Sequence, residues 1–231
     1  MENISATSAF GLATSRSLTM ALVFTTESTA PSFFRESCRD MARRRGGGKR
    51  IERRSHANLH AGISTLDEDE ALSFVKKLDE APFLLILDQV QDPRNLGACL
   101  RSASGAGVNL VAIPADRSVG LTEVVRHVAA GAAETLPIAR VRNLSRFLRA
   151  LSDLGIRLVG TSDRADATLY DLDLTGSLGL VMGAEGTGIR RLTADCCDDL
   201  TVIPMQGQVD CLNVSVAAGV CLFEAARQRL G

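Results

Sequence analysis

Three groups of residues in this chain have types and spacing that suit chemistry on a polar ligand: Asn95 with Arg101, Glu185 among Gly183, Gly186 and Gly188, and Asn213 with Ser215. Arginine offers a permanent cation and a fork of donors, glutamate a proton acceptor, and asparagine and serine adaptable hydrogen bonds. The third group opens a helical pattern. Val214, Ala217, Ala218, Cys221, Leu222 and Ala225 recur at i, i+3, i+4, i+7, i+8 and i+11, one face of an amphipathic helix. Asn213 is then its N-cap, and the unpaired N–H groups of the first turn, at the positive end of the helix dipole, suit an anion or a polar ligand edge. The ordinary reading of the same stretch is a capped core helix, and each of the three groups alone has such a structural reading.

Regular elements must carry these residues. Short apolar runs predict strands over residues 83–87, 108–113, 136–139, 156–160, 178–182 and 200–203. Between them Leu96, Cys99, Leu100 and Ala103 share one helical face, as do Leu121, Val124, Val125 and Val128, and Leu144, Phe147, Leu148 and Leu151. This alternation predicts an α/β fold, a mainly parallel sheet with helices on both faces. Ligands of such sheets sit beyond the carboxyl ends of strands, and the three groups follow the first, fifth and sixth strands. Glycines directly after the fifth strand let a ligand approach the backbone. On these features alone the domain reads as nucleotide-binding, a dehydrogenase or a hydrolase, and the absence of G-x-G-x-x-G speaks against a dinucleotide.

The 231 residues are 45% hydrophobic, enough for a substantial core, and the net charge of −1 gives no global basic signature of a nucleic-acid binder. Six cysteines without C-x-x-C spacing and three histidines form no zinc pattern, so no metal is expected, and the thiols read as reduced and cytosolic. No apolar run reaches the roughly 18 residues of a membrane span. Residues 1–34 are rich in Ser, Thr and Ala, with weak support for a targeting signal. Residues 35–54 hold a basic run broken by Gly46, Gly47 and Gly48, which reads as a solvated segment of a kind that can bind nucleic-acid phosphates but is most often a soluble linker. After the acidic patch 67–70 the expected boundary falls near residue 80. It separates an irregular, partly flexible N-terminal region, 1–80, from an α/β domain, 81–231, and a fragment starting near Leu78 is expected to fold alone.

The strings NLGACLRSA around Asn95 and Arg101, VMGAEGTGI over 181–189 and IPMQGQVDCLNVSVAAGVCLFEA over 203–225 resemble the three motifs of the SpoU (TrmH-like) RNA ribose 2′-O-methyltransferases of the SPOUT superfamily. The similarity runs from Pro82 to the end and is closest to bacterial enzymes that methylate a guanosine of 23S rRNA. It implies a C-terminal trefoil knot, S-adenosylmethionine as cofactor, a homodimer and a cytoplasmic enzyme acting on RNA. Carried over by position, Gly183, Ile203 and Leu212 hold the cofactor through their backbones. Arg101, Glu185 and Asn213 are catalytic, with Asn95 and Ser215 in support. The alternatives are the same reaction on tRNA, or a catalytically silent RNA-binding relative acting in ribosome assembly. Two departures stand out: Cys211 replaces the usual Ser, and residues 1–55 lack the α/β alternation of the family's N-terminal RNA-binding domain.

Overall fold

A computed structural model describes residues 65–231 apart from Arg117, Glu185 and Thr187, all within the unit Ala57–Gly231. The candidate Glu185, the basic run and the rest of the N-terminal region up to residue 64 lie outside the described residues.

The apolar runs become seven parallel strands in the order β3-β2-β1-β6-β4-β7-β5. They are β1 (Phe83–Leu87), β2 (Leu110–Pro114), β3 (Ile138–Val141), β4 (Arg157–Thr161), β5 (Ala167–Thr168), β6 (Leu178–Met182) and β7 (Asp199–Val202). All six expected strands are present, shifted by at most two residues at either end. The two-residue β5 has no apolar run to announce it. The helices are α1 (Glu68–Val75), α2 (Pro93–Ala106), α3 (Glu123–Ala129), α4 (Ala132–Thr135), α5 (Leu144–Ser152), α6 (Arg191–Ala194) and α7 (Val214–Arg229).

Side chains alternate across a strand, so β1 feeds two cores. Phe83, Leu85 and Leu87 join Leu96, Leu100, Val125, Ala218 and Leu222 from α2, α3 and α7. Leu84 and Ile86 join Ala71 and Val75 of α1 and Phe147, Leu148 and Leu151 of α5. The chain steps outward from β1 to β3 through helices on the first face and returns to β4 through α5 on the second. Crossovers of one hand require this change of face when the direction reverses. The adjacent strands β1 and β6 therefore send their following helices to opposite faces, which opens a crevice at their carboxyl ends. Val124 departs from the expected helical face, being 45% exposed while Leu121 and Val125 are buried.

The segment before the expected boundary at residue 80 packs on the same core. Leu66 pairs with the edge strand β3, its N–H donating to the Ile138 carbonyl at 2.8 Å and its carbonyl accepting from Arg140 at 2.9 Å. A reciprocal capping box of Asp67 and Glu70 starts α1, which buries Ala71 and Val75. Composition hides this helix because its two buried residues are set among acids. A fragment starting at Leu78 would strip this cover, and Thr65 is the better starting point.

Glu68 accepts from the amides of Arg142 at 2.7 Å and Asn143 at 3.1 Å and pairs with Arg146, fixing the turn from β3 into α5. Burial alone would raise this carboxyl, but the Arg146 hydrogen bond and the two amides outweigh it and hold it below its ordinary value. A lowered folded pKa stabilises above the unfolded value, and that stabilisation is lost as pH falls through the folded one. Glu68→Gln is therefore expected to destabilise the protein near neutrality. In urea titrations the gap to wild type should close as pH goes from about 6 to about 3. A gap independent of pH would show that the carboxylate charge plays no part.

Candidate active site

The crevice beyond β1 and β6 is built from three loops, and sequence distance is no guide to how they meet. At the end of β1, Asp92 caps α2 by accepting from the Arg94 amide at 2.7 Å, with Pro93 in the first turn. This sets Asn95 on the opening turn of α2. Its Oδ1 accepts from Nδ2 of Asn213, 118 residues on, at 3.1 Å. Asn213 is the N-cap of α7, as its sequence context predicts. Its Oδ1 accepts from the Ser215 amide at 2.9 Å and the Ser215 hydroxyl at 2.6 Å. Asn95, Asn213 and Ser215 thus form one hydrogen-bonded row, with both ends of the Asn213 amide engaged.

Helix α2 packs against α7 below the row, with room for a methyl group at each of two glycines. A Cβ added to Gly219 would meet Ser102 Oγ at 3.7 Å, and one added to Gly105 would meet Phe223 at 3.5 Å. Arg101 is not part of the row. It lies six residues beyond Asn95, about 9 Å along the helix and about 120° around it. It is exposed, with no ion pair among the described residues.

After β6 the chain turns back on itself at once. Ala184 and Gly188 pair by two backbone hydrogen bonds, of 2.9 and 3.2 Å. A Cβ on Gly183 would lie 2.0 Å from the Gly188 carbonyl carbon and 2.2 Å from the Ile189 nitrogen, so only glycine fits. Gly186 and Gly188 have φ of 75° and 64° and open space where a Cβ would stand. Glu185 falls in this turn, outside the described residues.

Asp88 anchors the turn, and sequence gives no hint of its partner. The carboxylate is fully buried at the end of β1 and accepts from Arg190, 102 residues away, through the backbone amide at 3.1 Å, Nε at 2.9 Å and Nη2 at 2.8 Å. A carboxylate ending an apolar strand was the one available signal. A buried charge needs a partner of this kind, and removing one member leaves the other uncompensated. Arg190→Ala, which leaves the fully buried Asp88 carboxylate unpaired, is accordingly expected to destabilise by about 3 to 5 kcal/mol. Chemical denaturation measures this, and a loss below about 1 kcal/mol would contradict the structural role.

The third loop, from Ile203 to Leu212, has no regular structure, and Ile203, Met205 and Leu212 are half-buried along it. Cys211 is exposed beside the Asn213 cap. Burial pushes the Cys221 thiol up to about 12, and burial followed by the neighbouring Cys196 does the same to Cys197, so neither supplies a thiolate. Among the described residues no three His, Cys, Asp or Glu side chains gather as metal ligands, and no helix is long and apolar enough to cross a membrane.

A model of the SpoU rRNA Methylase family matches residues 82–223. A Shewanella oneidensis protein named 23S rRNA (guanosine-2'-O-)-methyltransferase RlmB is 51% identical over 187 residues, 78% of this chain and 76% of its own length. The Escherichia coli K12 protein of that name is 52% identical over 186 residues, with the same shares. Among solved structures, the SpoU methyltransferase AviRb of Streptomyces viridochromogenes, in complex with AdoMet, superposes with a TM-score of 0.61 at 28% identity. That match covers 67% of this chain and 63% of AviRb. A TrmH/SpoU tRNA modifying enzyme of A. aeolicus gives 0.60 at 25% identity, covering 71% and 84%. With the matched family segment containing all three loops of the crevice, the chain belongs to the SpoU rRNA methylase family.

Proposed function

We propose that this chain transfers a methyl group from S-adenosylmethionine to the ribose 2′-hydroxyl of a guanosine in 23S rRNA. The observation that carries the reading is the row Asn95–Asn213–Ser215, which joins the first and third loops. The higher identity to the rRNA enzymes than to the tRNA enzyme favours rRNA as substrate.

The residues present fit the cofactor. Open space beside Gly186, Gly188 and Gly207 lets a ligand approach the backbone, and the half-buried Ile203 and Leu212 offer apolar walls. The backbones of Gly183, Ile203 and Leu212 would hold S-adenosylmethionine, which supplies an electrophilic methyl group when bound. The chain must then orient the ribose and manage its proton. Arg101, through its planar fork of donors, clamps the adjacent phosphate and stabilises the alkoxide as it develops. Glu185 accepts the hydroxyl proton or orients Arg101. Asn213, held by Asn95 and Ser215, fixes one wall of the site, so the reacting atoms meet without a search of rotamers.

The reading includes a homodimer, a cytoplasmic site of action and the family's trefoil knot. Val216 and Phe223 are more than half exposed on α7, with Val220 between them at helical spacing, an apolar stripe suited to a second copy. Sedimentation should give twice the chain mass, and full activity from a monomer would contradict the dimer. The N-terminal basic run contributes phosphate contacts. Mapping 2′-O-methyl groups after incubating the protein with cofactor and unmodified rRNA or tRNA tests the reaction. A mark confined to tRNA would overturn the substrate, and no mark on either would overturn the activity.

A further inference from the structure

A second concave site opens on the same carboxyl edge of the sheet, at the ends of β2 and β3. Its volume is about 320 Å³, within the range of small-ligand pockets and sufficient for one nucleotide. Pro114, Leu144 and Leu192 form apolar walls, and Leu192 is 67% exposed at the rim. Asp116 and Arg142 also line the cavity, both exposed, and neither side chain has a partner among the described residues. Arg190 lies on the wall nearest the candidate active site, but Asp88 already neutralises it.

Positive potential in the cavity comes from Arg142 and from the first turn of the nine-residue α5. The donors there are already apportioned. Glu68 takes the amides of Arg142 and Asn143, and the Asn143 side chain takes that of Arg146. The intervening amides of Leu144 and Ser145 serve no acceptor among the described residues. A free cation, two amides, a separate free carboxylate and an apolar rim match a phosphate, a hydrogen-bonding base edge and a base face.

We propose that this cavity binds one nucleotide of the RNA next to the nucleotide that is modified. The phosphate lies on Arg142 and the first-turn amides of α5. The base lies against Leu192 and Pro114, and Asp116 accepts from its N–H edge. Guanine is favoured, because its N1–H and N2–H are adjacent donors that one carboxylate accepts together. Sequence-specific RNA recognition works through splayed single-stranded bases of this kind. The inference rests on the RNA methyl-transfer reading above.

The test uses the full chain, S-adenosylmethionine and an unmodified 23S rRNA transcript. Arg142→Ala is expected to raise the KM for RNA about ten-fold, by more than it lowers kcat, and to reduce the slope of log affinity against log salt by about 0.7 to 0.9. Arg142→Lys should restore most of both. Asp116→Asn should raise the KM and weaken the preference for the normal transcript over one carrying inosine, which lacks the N2 donor. Wild-type KM and salt slope in Arg142→Ala together with wild-type KM and inosine discrimination in Asp116→Asn would overturn the subsite. A wild-type protein that transfers no methyl group would instead overturn the reading on which it rests.

Discussion

Replacing Arg101 by Ala is expected to lower the turnover number for methyl transfer by about 10²- to 10³-fold, the usual effect of removing one group that stabilises a developing oxyanion. Binding of S-adenosylmethionine should stay within about two-fold of wild type, because Arg101 stands on α2, outside the Gly183 turn and the 203–212 loop. Its exposed guanidinium has no ion pair among the described residues, so truncation removes a cation without leaving a buried acid unpaired. Unchanged thermal stability is the corresponding control. Arg101→Lys should recover only part of the rate, since a single ammonium keeps the charge and loses the planar fork that spans a phosphate oxygen and an alkoxide together. Stopped-time methylation of rRNA and calorimetry with the cofactor decide it. Near-normal turnover in the alanine variant would remove Arg101 from the chemistry, and a parallel fall in cofactor affinity would move it to the cofactor site.

The features legible in the sequence are those set by local pattern. Continuous apolar runs such as Phe83–Leu87 and Leu178–Met182 are buried strands because a parallel sheet with helices on both faces leaves them no solvent side. Asn213 caps α7 because an asparagine before a helical apolar face satisfies the first-turn amides wherever the helix packs. The motif glycines point to the crevice, and Gly183 has no room for a side chain.

What sequence does not show depends on distance along the chain. The Asp88–Arg190 pair spans 102 residues and the Asn213–Asn95 bond 118, and no periodicity encodes either. α1 escapes notice because acids that cap and clamp are indistinguishable by composition from acids in a solvated linker, although Glu68 holds the start of α5. Val124 falls off its expected face because the short α3 turns Val125 and Ala129 inward. The cavity at Arg142 and Asp116 is likewise a product of strand order. Its residues come from the ends of β2 and β3, the first turn of α5 and the segment from Arg190 into α6, which only the sheet brings to one edge.

Gly183→Ala is expected to cost more than any other single methyl group added to the crevice. The new Cβ would lie 2.0 Å from the Gly188 carbonyl carbon and 2.3 Å from its oxygen, and no rotamer change moves a backbone atom. The turn has little freedom to yield. The Ala184–Gly188 pair closes it, and the Arg190–Asp88 contacts anchor its far end to β1. Overpacking typically costs about 1 to 3 kcal/mol, and a clash against fixed backbone belongs at or above the top of that range. Either the protein loses that stability with the turn intact, or the turn lifts from β6 and the cofactor backbone contacts are lost with it. The first outcome predicts a lowered melting temperature with cofactor binding retained, and the second at least a hundred-fold weaker binding of S-adenosylmethionine under conditions where the variant is folded. Gly207→Ala is the control for stability, because nothing lies within 4 Å of its added Cβ and its melting temperature should match wild type. Thermal melting and calorimetry of the two variants side by side give the comparison. A Gly183→Ala protein with wild-type melting temperature and cofactor affinity would mean that the turn relaxes freely, and that the close approach of Gly188 to β6 does not hold the site together.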